Sequence, residues 1–205
     1  MTIMIDPTEW TLSEAARLLA EPQHRLIYLC EKGVVVPDFA IAKGRGSSRR
    51  FSARNLLEFA VVLKLRELTL PVDSVAAIIH VLRAFETKVA DEIRGFDLVG
   101  GLRNKNAPDL RIIISDGRRI YFSLGVGTGT PKLFGGLDFQ NIAIKKAKLT
   151  SSGKVKTPIE EIGIGNGKTP KPATLPSEFG GPEGSKHARI EISVTRIAKD
   201  LPLDG

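Results

Sequence analysis

The chain has 205 residues, 42% hydrophobic and 26% charged, enough for one ordinary domain or two small ones and the profile of a globular rather than a fibrous protein. Its apolar runs fall short of the roughly 18 to 20 residues a bilayer requires, and Met1-Thr2-Ile3-Met4-Ile5-Asp6-Pro7 lacks the basic-then-apolar order of a secretory signal, so a cytoplasmic protein with no membrane partner is expected. Thirty Lys+Arg against 23 Asp+Glu leave a net +7, which suits a polyanionic partner where it is clustered, and the single cysteine, Cys30, excludes an internal disulfide or a cysteine metal cage.

From Thr11 to about Gly95 apolar residues recur at helical spacing; beyond about Leu98 they fall into short β-branched runs between Gly and Pro clusters. The expected fold is therefore α+β, with a helical region at 8–95 and a β-rich region at 98–205. Thr11 and Glu14 match a capping box opening a helix that runs to Leu19, with Leu12, Ala15, Ala16 and Leu19 on one face. Ala20-Glu21 is a short link. Pro22 suits the first turn of a second helix, Gln23 to Glu31, which ends near Gly33. Two short helices joined this tightly form a helix-turn-helix pattern. Val34-Val35-Val36-Pro37 reads as a strand or a tight corner.

Between Lys43 and Arg54 lie Lys43, Arg45, Arg49, Arg50 and Arg54 with no acidic residue, in a Gly/Ser-rich stretch that suits phosphate contact. Ser52 is placed to cap a third helix, whose apolar face is Leu56, Leu57, Phe59, Ala60, Leu63, Leu65 and Leu68. Pro71 separates it from a fourth helix, Val72 to about Arg94. There Ile78, Leu82, Phe85 and Val89 form a seam that needs a partner, either a second subunit or the C-terminal region.

Leu110–Ser115 and Arg118–Ser123 flank Asp116-Gly117, a two-residue hairpin signal. Further strands are expected at Asp138 to Leu149 and Arg189 to Ile197, separated by a flexible insert at 150–187. Gly163 to Thr169 ends like a phosphate-binding loop, but its spacing is one residue short and Pro170 forbids the helix that would follow. Gly125 to Pro131 is likewise a loop rather than a dinucleotide fingerprint. His24, His80 and His187 lack metal-ligand spacing, and no carboxylates are paired for catalysis. No cofactor, metal or enzymatic activity is expected.

Three segments together carry a resemblance. Leu12-Ser13-Glu14-Ala15-Ala16-Arg17-Leu18-Leu19, then Arg25-Leu26-Ile27-Tyr28-Leu29-Cys30-Glu31-Lys32-Gly33-Val34-Val35, then Arg49-Arg50-Phe51-Ser52 resemble the opening helix, the recognition helix and the wing end of the MerR family of bacterial transcription regulators. The match covers residues 10 to about 83. Ile27, Leu29 and Cys30 depart from the family's usual arginine, tyrosine and glutamate, and Pro71 replaces its usual helix cap, so this chain resembles a divergent member. The resemblance implies a winged helix-turn-helix that binds double-stranded DNA as a homodimer on a pseudo-palindromic promoter site, in concert with RNA polymerase. DNA contacts would come from His24, Arg25 and Tyr28 on the second helix and from Lys43, Arg45, Arg49, Arg50 and Arg54 around the wing; the Ile78, Leu82, Phe85 and Val89 seam would make the dimer. The competing expectation is an excisionase-like or nucleoid-associated architectural DNA-binding protein. The β-rich region resembles no sensor domain.

Overall fold

A computed structural model describes residues 9–39, 49–92, 97–115, 119–125, 131–138 and 189–203. The fold is α+β and divides into two compact units, Met1–Ile79 with Ile197–Gly205, and His80–Arg196. The division falls inside the fourth helix rather than after it. None of the described helices is long and apolar enough to cross a membrane.

In the first unit, strand β1 (Trp10–Thr11) leads into helix α1 (Leu12–Leu18). Thr11 caps α1 as its spacing requires: its hydroxyl accepts the Glu14 N–H at 3.2 Å while Glu14 Oε2 accepts the Thr11 N–H at 2.7 Å, which satisfies two otherwise orphaned donors and contributes about 1 kcal/mol. The helix closes in a Schellman motif, with Glu21 N–H donating to Ala16 C=O and Ala20 N–H to Arg17 C=O. Ala20 takes φ 53° there, a left-handed conformation more often given to glycine. Helix α2 (Gln23–Glu31) follows after four residues. Pro22 stands at its N-cap in extended conformation, one position earlier than expected. At the far end Gly33, φ 66°, completes a second Schellman motif as Val34 N–H donates to Leu29 C=O.

Val34 and Val35 are buried, but the segment turns the chain without forming a strand. Strand β2 (Arg50–Phe51) pairs antiparallel with β1, Trp10 opposite Phe51 and Thr11 opposite Arg50, and Phe39 bridges Arg50 from the other side. Helix α3 (Ala53–Glu67) starts at Ser52, which forms a capping box with Asn55 where glutamate or glutamine is usual. Phe51 and Phe59 are fully buried and tilted against each other at 5.3 Å; burial of each ring contributes about 2 to 3 kcal/mol. Leu56, Leu57 and Leu65 are buried as expected, but Val61 and Val62 replace Ala60, Leu63 and Leu68 in the core, because α3 is covered on more than one face. Helix α4 is Val72–Glu92.

The second unit opens with helix α5 (Leu98–Arg103), where the sequence pattern indicates only β structure. Gly100-Gly101 lowers its intrinsic propensity. Its start is held by Asp97, whose carboxylate accepts Gly100 N–H at 2.6 Å, and by Glu86 of α4, which accepts Leu98 N–H at 3.0 Å. A Cβ on Gly100 would lie 2.8 Å from that Asp97 oxygen, so a larger residue there would push the Asp97 carboxylate aside.

Four antiparallel strands follow: β3 (Asp109–Ser115), β4 (Arg119–Gly125), β5 (Lys132–Asp138) and β6 (Arg189–Ser193), in the order β5-β4-β3-β6. Leu110 faces Leu124 and Ser115 faces Arg119, so three residues, 116–118, separate β3 from β4. This corrects the two-residue turn expected at Asp116-Gly117; the register is shifted by one, which decides the face every side chain takes. Leu110, Ile112 and Ile114 share one face with Ile120, Phe122 and Ile192, and these are buried. A second correction concerns Arg189 to Ile197. Strand β6 ends at Ser193 and helix α6 (Val194–Asp200) begins at once. Ser193 Oγ accepts Arg196 N–H at 3.1 Å, a cap that stops the strand despite the Ile190, Ile192, Val194 alternation. The strand expected at Asp138 to Leu149 lies outside the described residues except for Asp138, which ends β5; the Gly-rich stretch 126–130, the 150–187 insert and the loop-like 163–169 lie outside them too.

Candidate nucleic-acid interface

Helix α2 has two distinct sides. Leu26 and Leu29 are buried in the first unit, while His24, Arg25 and Tyr28 are exposed, Tyr28 to 43%. A large aromatic left uncovered beside cations is the informative kind of exposure. Arg25 is held loosely by Glu21 one turn earlier, at 2.9 Å; such an exposed pair is worth well under 1 kcal/mol and yields readily to a stronger anion. Lys32 extends the cationic surface, its ammonium 5.6 Å from the Tyr28 ring centre.

Arg49 is exposed, and its charge acts on Cys30 in the last turn of α2. Burial pushes the Cys30 thiol above its ordinary pKa, and Arg49 pulls it partly back. Cys30 is therefore a neutral thiol. Arg50 is half-buried, paired through its backbone with both Thr11 and Phe39, and its charge acts on Glu14. Glu14 lies below the ordinary carboxylate range, chiefly because it accepts the Thr11 backbone N–H, then the Thr11 hydroxyl.

Arg54, a third exposed, forks onto Asp38 within the chain, with Nε–Oδ2 3.1 Å and Nη2–Oδ1 2.5 Å. Lys43 and Arg45 lie outside the described residues. In the α4 seam, Ile78 and Leu82 are buried within a single chain and Phe85 is partly covered, so the first two need no second subunit to hide them; the side chain of Val89 lies outside the described residues.

Sequence reasoning passed over Asn55. Its side chain is fully buried, and its amide uses all its capacity: Oδ1 accepts from the backbone of Asp38 (2.9 Å) and Ser52 (3.2 Å), while Nδ2 donates to Val36 C=O (3.0 Å) and Glu58 Oε2 (3.1 Å). The available signal was Ser52 with a polar residue three positions on; the partners at 36 and 38 are visible only in the folded chain.

The second unit carries a cleft of about 310 Å³ on the other face of its sheet, lined by Asp109, Arg111, Ser123, Arg189 and Glu191. Its charges answer one another: Arg111 meets Asp109 at 2.6 Å and Glu191 at 3.0 Å, and Arg189 also meets Glu191. Among the described residues no group of His, Cys, Asp and Glu could hold a metal ion.

Comparison with protein-family models finds no match to this chain, and comparison with curated proteins finds none either.

Proposed function

We propose that this chain is a sequence-specific DNA-binding transcription regulator of the MerR-like winged helix-turn-helix type, acting as a homodimer on a pseudo-palindromic site. Helix α2 enters the major groove, where His24, Arg25 and Tyr28 meet base edges and phosphates, while Arg49 and Arg50 neutralise the adjacent backbone. Lys43 and Arg45 add to that charge through their position in the sequence. The observation that carries the reading is the outer side of α2, where His24, Arg25 and Tyr28 stand exposed beside Lys32; the charge of Arg49, at the wing root, also acts on Cys30 of that helix.

The test is duplex binding by the full chain across a salt series, with a footprint on genomic DNA. Arg49→Ala and Arg50→Ala should weaken binding to all sequences alike, each lowering the salt slope by about 0.9. Unchanged affinity would remove the wing root from the interface. A bounded, two-fold symmetric footprint supports the regulator, whereas a broad footprint without a preferred site favours the architectural alternative.

A further inference from the structure

We infer that Asp38 and Arg54 form a clamp that positions Arg49 and Arg50 for the duplex, Arg54 acting through geometry rather than by touching phosphate. The inference rests on the DNA-binding reading above and deepens it.

The Asp38 carboxylate accepts Arg54 Nε at 3.1 Å, Arg54 Nη2 at 2.5 Å and Ser52 Oγ at 2.5 Å. Its own N–H donates to the buried Asn55 amide at 2.9 Å. The next residue, Phe39, exchanges backbone hydrogen bonds with Arg50, 3.4 Å in each direction. Arg50 is therefore held by its backbone on one side, while Ser52 and Arg54, just beyond it, are held by Asp38. The chain direction at Arg49-Arg50 follows from this cross-link.

Two physical points exclude the simpler role for Arg54. To reach a phosphate, its guanidinium would give up two charge-assisted bonds to Asp38 in a half-buried setting. Moreover, an acid placed within a surface meant for a polyanion repels it, so Asp38 is a net cost to DNA binding unless what it holds in place matters more. Pairing with Arg54 cancels that charge and leaves the positional gain. A planar fork is needed for this; a lysine supplies charge without the two parallel bonds.

A positioning role and a contact role predict different things. A clamp changes the fraction of molecules ready to bind, so its loss raises Kd while the bound state keeps every phosphate contact and the salt slope stays the same. A lost phosphate contact lowers the slope by about 0.9. The experiment measures anisotropy of a fluorescein-labelled mixed-sequence duplex, titrated with the full chain over a salt series, for wild type, Asp38→Asn, Arg54→Lys, Arg54→Gln and the Asp38→Asn/Arg54→Gln double variant. We expect each single variant to bind roughly ten-fold more weakly at unchanged slope, and the double variant to be no weaker than the worse single one. In the absence of DNA, trypsin cleavage at Arg49-Arg50 should accelerate roughly ten-fold in all of them.

If Arg54→Lys binds like wild type while Arg54→Gln flattens the slope, Arg54 is a phosphate contact and the clamp is overturned. Wild-type affinity in Asp38→Asn and Arg54→Lys, even with faster cleavage, overturns it too and leaves a purely structural pair. A wild-type chain that binds no duplex at low salt defeats the DNA-binding reading itself; the trypsin rates then still decide the cross-link, and equal rates in all variants overturn that as well.

Discussion

The two units use their arginines in opposite ways. On the sheet, Arg111 and Arg189 are matched by Asp109 and Glu191, and the hydrogen bond that Arg111 donates to Asp109, followed by the one to Glu191, holds its guanidinium all the more firmly charged. Among the described residues of the helical unit, Arg54 is matched by Asp38, whereas Arg25 meets Glu21 in an exposed pair and Arg49 acts on the neutral Cys30 thiol. A net charge of +7 therefore says little by itself. What separates a surface that neutralises itself from one that can attract a polyanion is whether acids stand within reach of each cation.

The units also share a device, a buried polar side chain that ties together distant stretches of chain. Asn55 does this in the first unit, and Thr195 in the second, donating to Pro108 C=O and accepting Leu110 N–H, both at 2.8 Å. Asn55→Ala should produce the largest effect of all, a loss of about 3 kcal/mol or more in urea unfolding, because two backbone N–H groups, a carbonyl and the Glu58 carboxylate lose a partner together. If the loss is below about 1 kcal/mol, water replaces the amide and the two devices are not equivalent. Thr195→Val keeps the shape and strands one N–H and one C=O, so about 2 kcal/mol is expected, read from the cooperative transition of the sheet unit.

Smaller effects sharpen the contrast in charge. Thr11→Ala should cost about 1 kcal/mol, the usual worth of a helix cap. Its partner Glu14 has a lowered folded pKa, so its contribution is complete above the ordinary carboxylate range and fades as the pH drops through the folded value; the difference between wild type and Glu14→Gln should stay constant above about pH 5 and shrink below about pH 4. Smallest of all, Arg111→Ala should cost about 0.5 kcal/mol or less once solvent screening is allowed for, and nothing measurable in high salt. A loss several times larger would mean that the sheet charges organise the fold rather than merely balance one another.

Much of this was legible in the linear chain because much of it is local. The Thr11–Glu14 box, the Gly33 stop and the Ser52 cap lie within one helical turn of the groups they satisfy, so residue spacing reveals them. The buried and exposed sides of α2 follow from the same periodicity. Helix α5 was hidden because Gly100 and Gly101 weaken its propensity while its support comes from Asp97 and from Glu86, twelve residues before Leu98. The strand-to-helix switch at Ser193 was hidden because Val194 continues the alternation.

Residue order alone places the starts of the first four helices, their apolar faces, and the cluster of cations between Lys43 and Arg54. Only the tertiary structure decided that Arg54 belongs to Asp38, that Asn55 joins residues 36–38 to the cap of α3, that β3 and β4 pair one residue away from the expected register, and that Ile197–Gly205 joins the N-terminal unit. The reason is distance along the chain. A cap reports on neighbours three or four residues away, which spacing encodes, whereas the partner of a buried polar group or a strand is chosen among all segments at once by packing and desolvation.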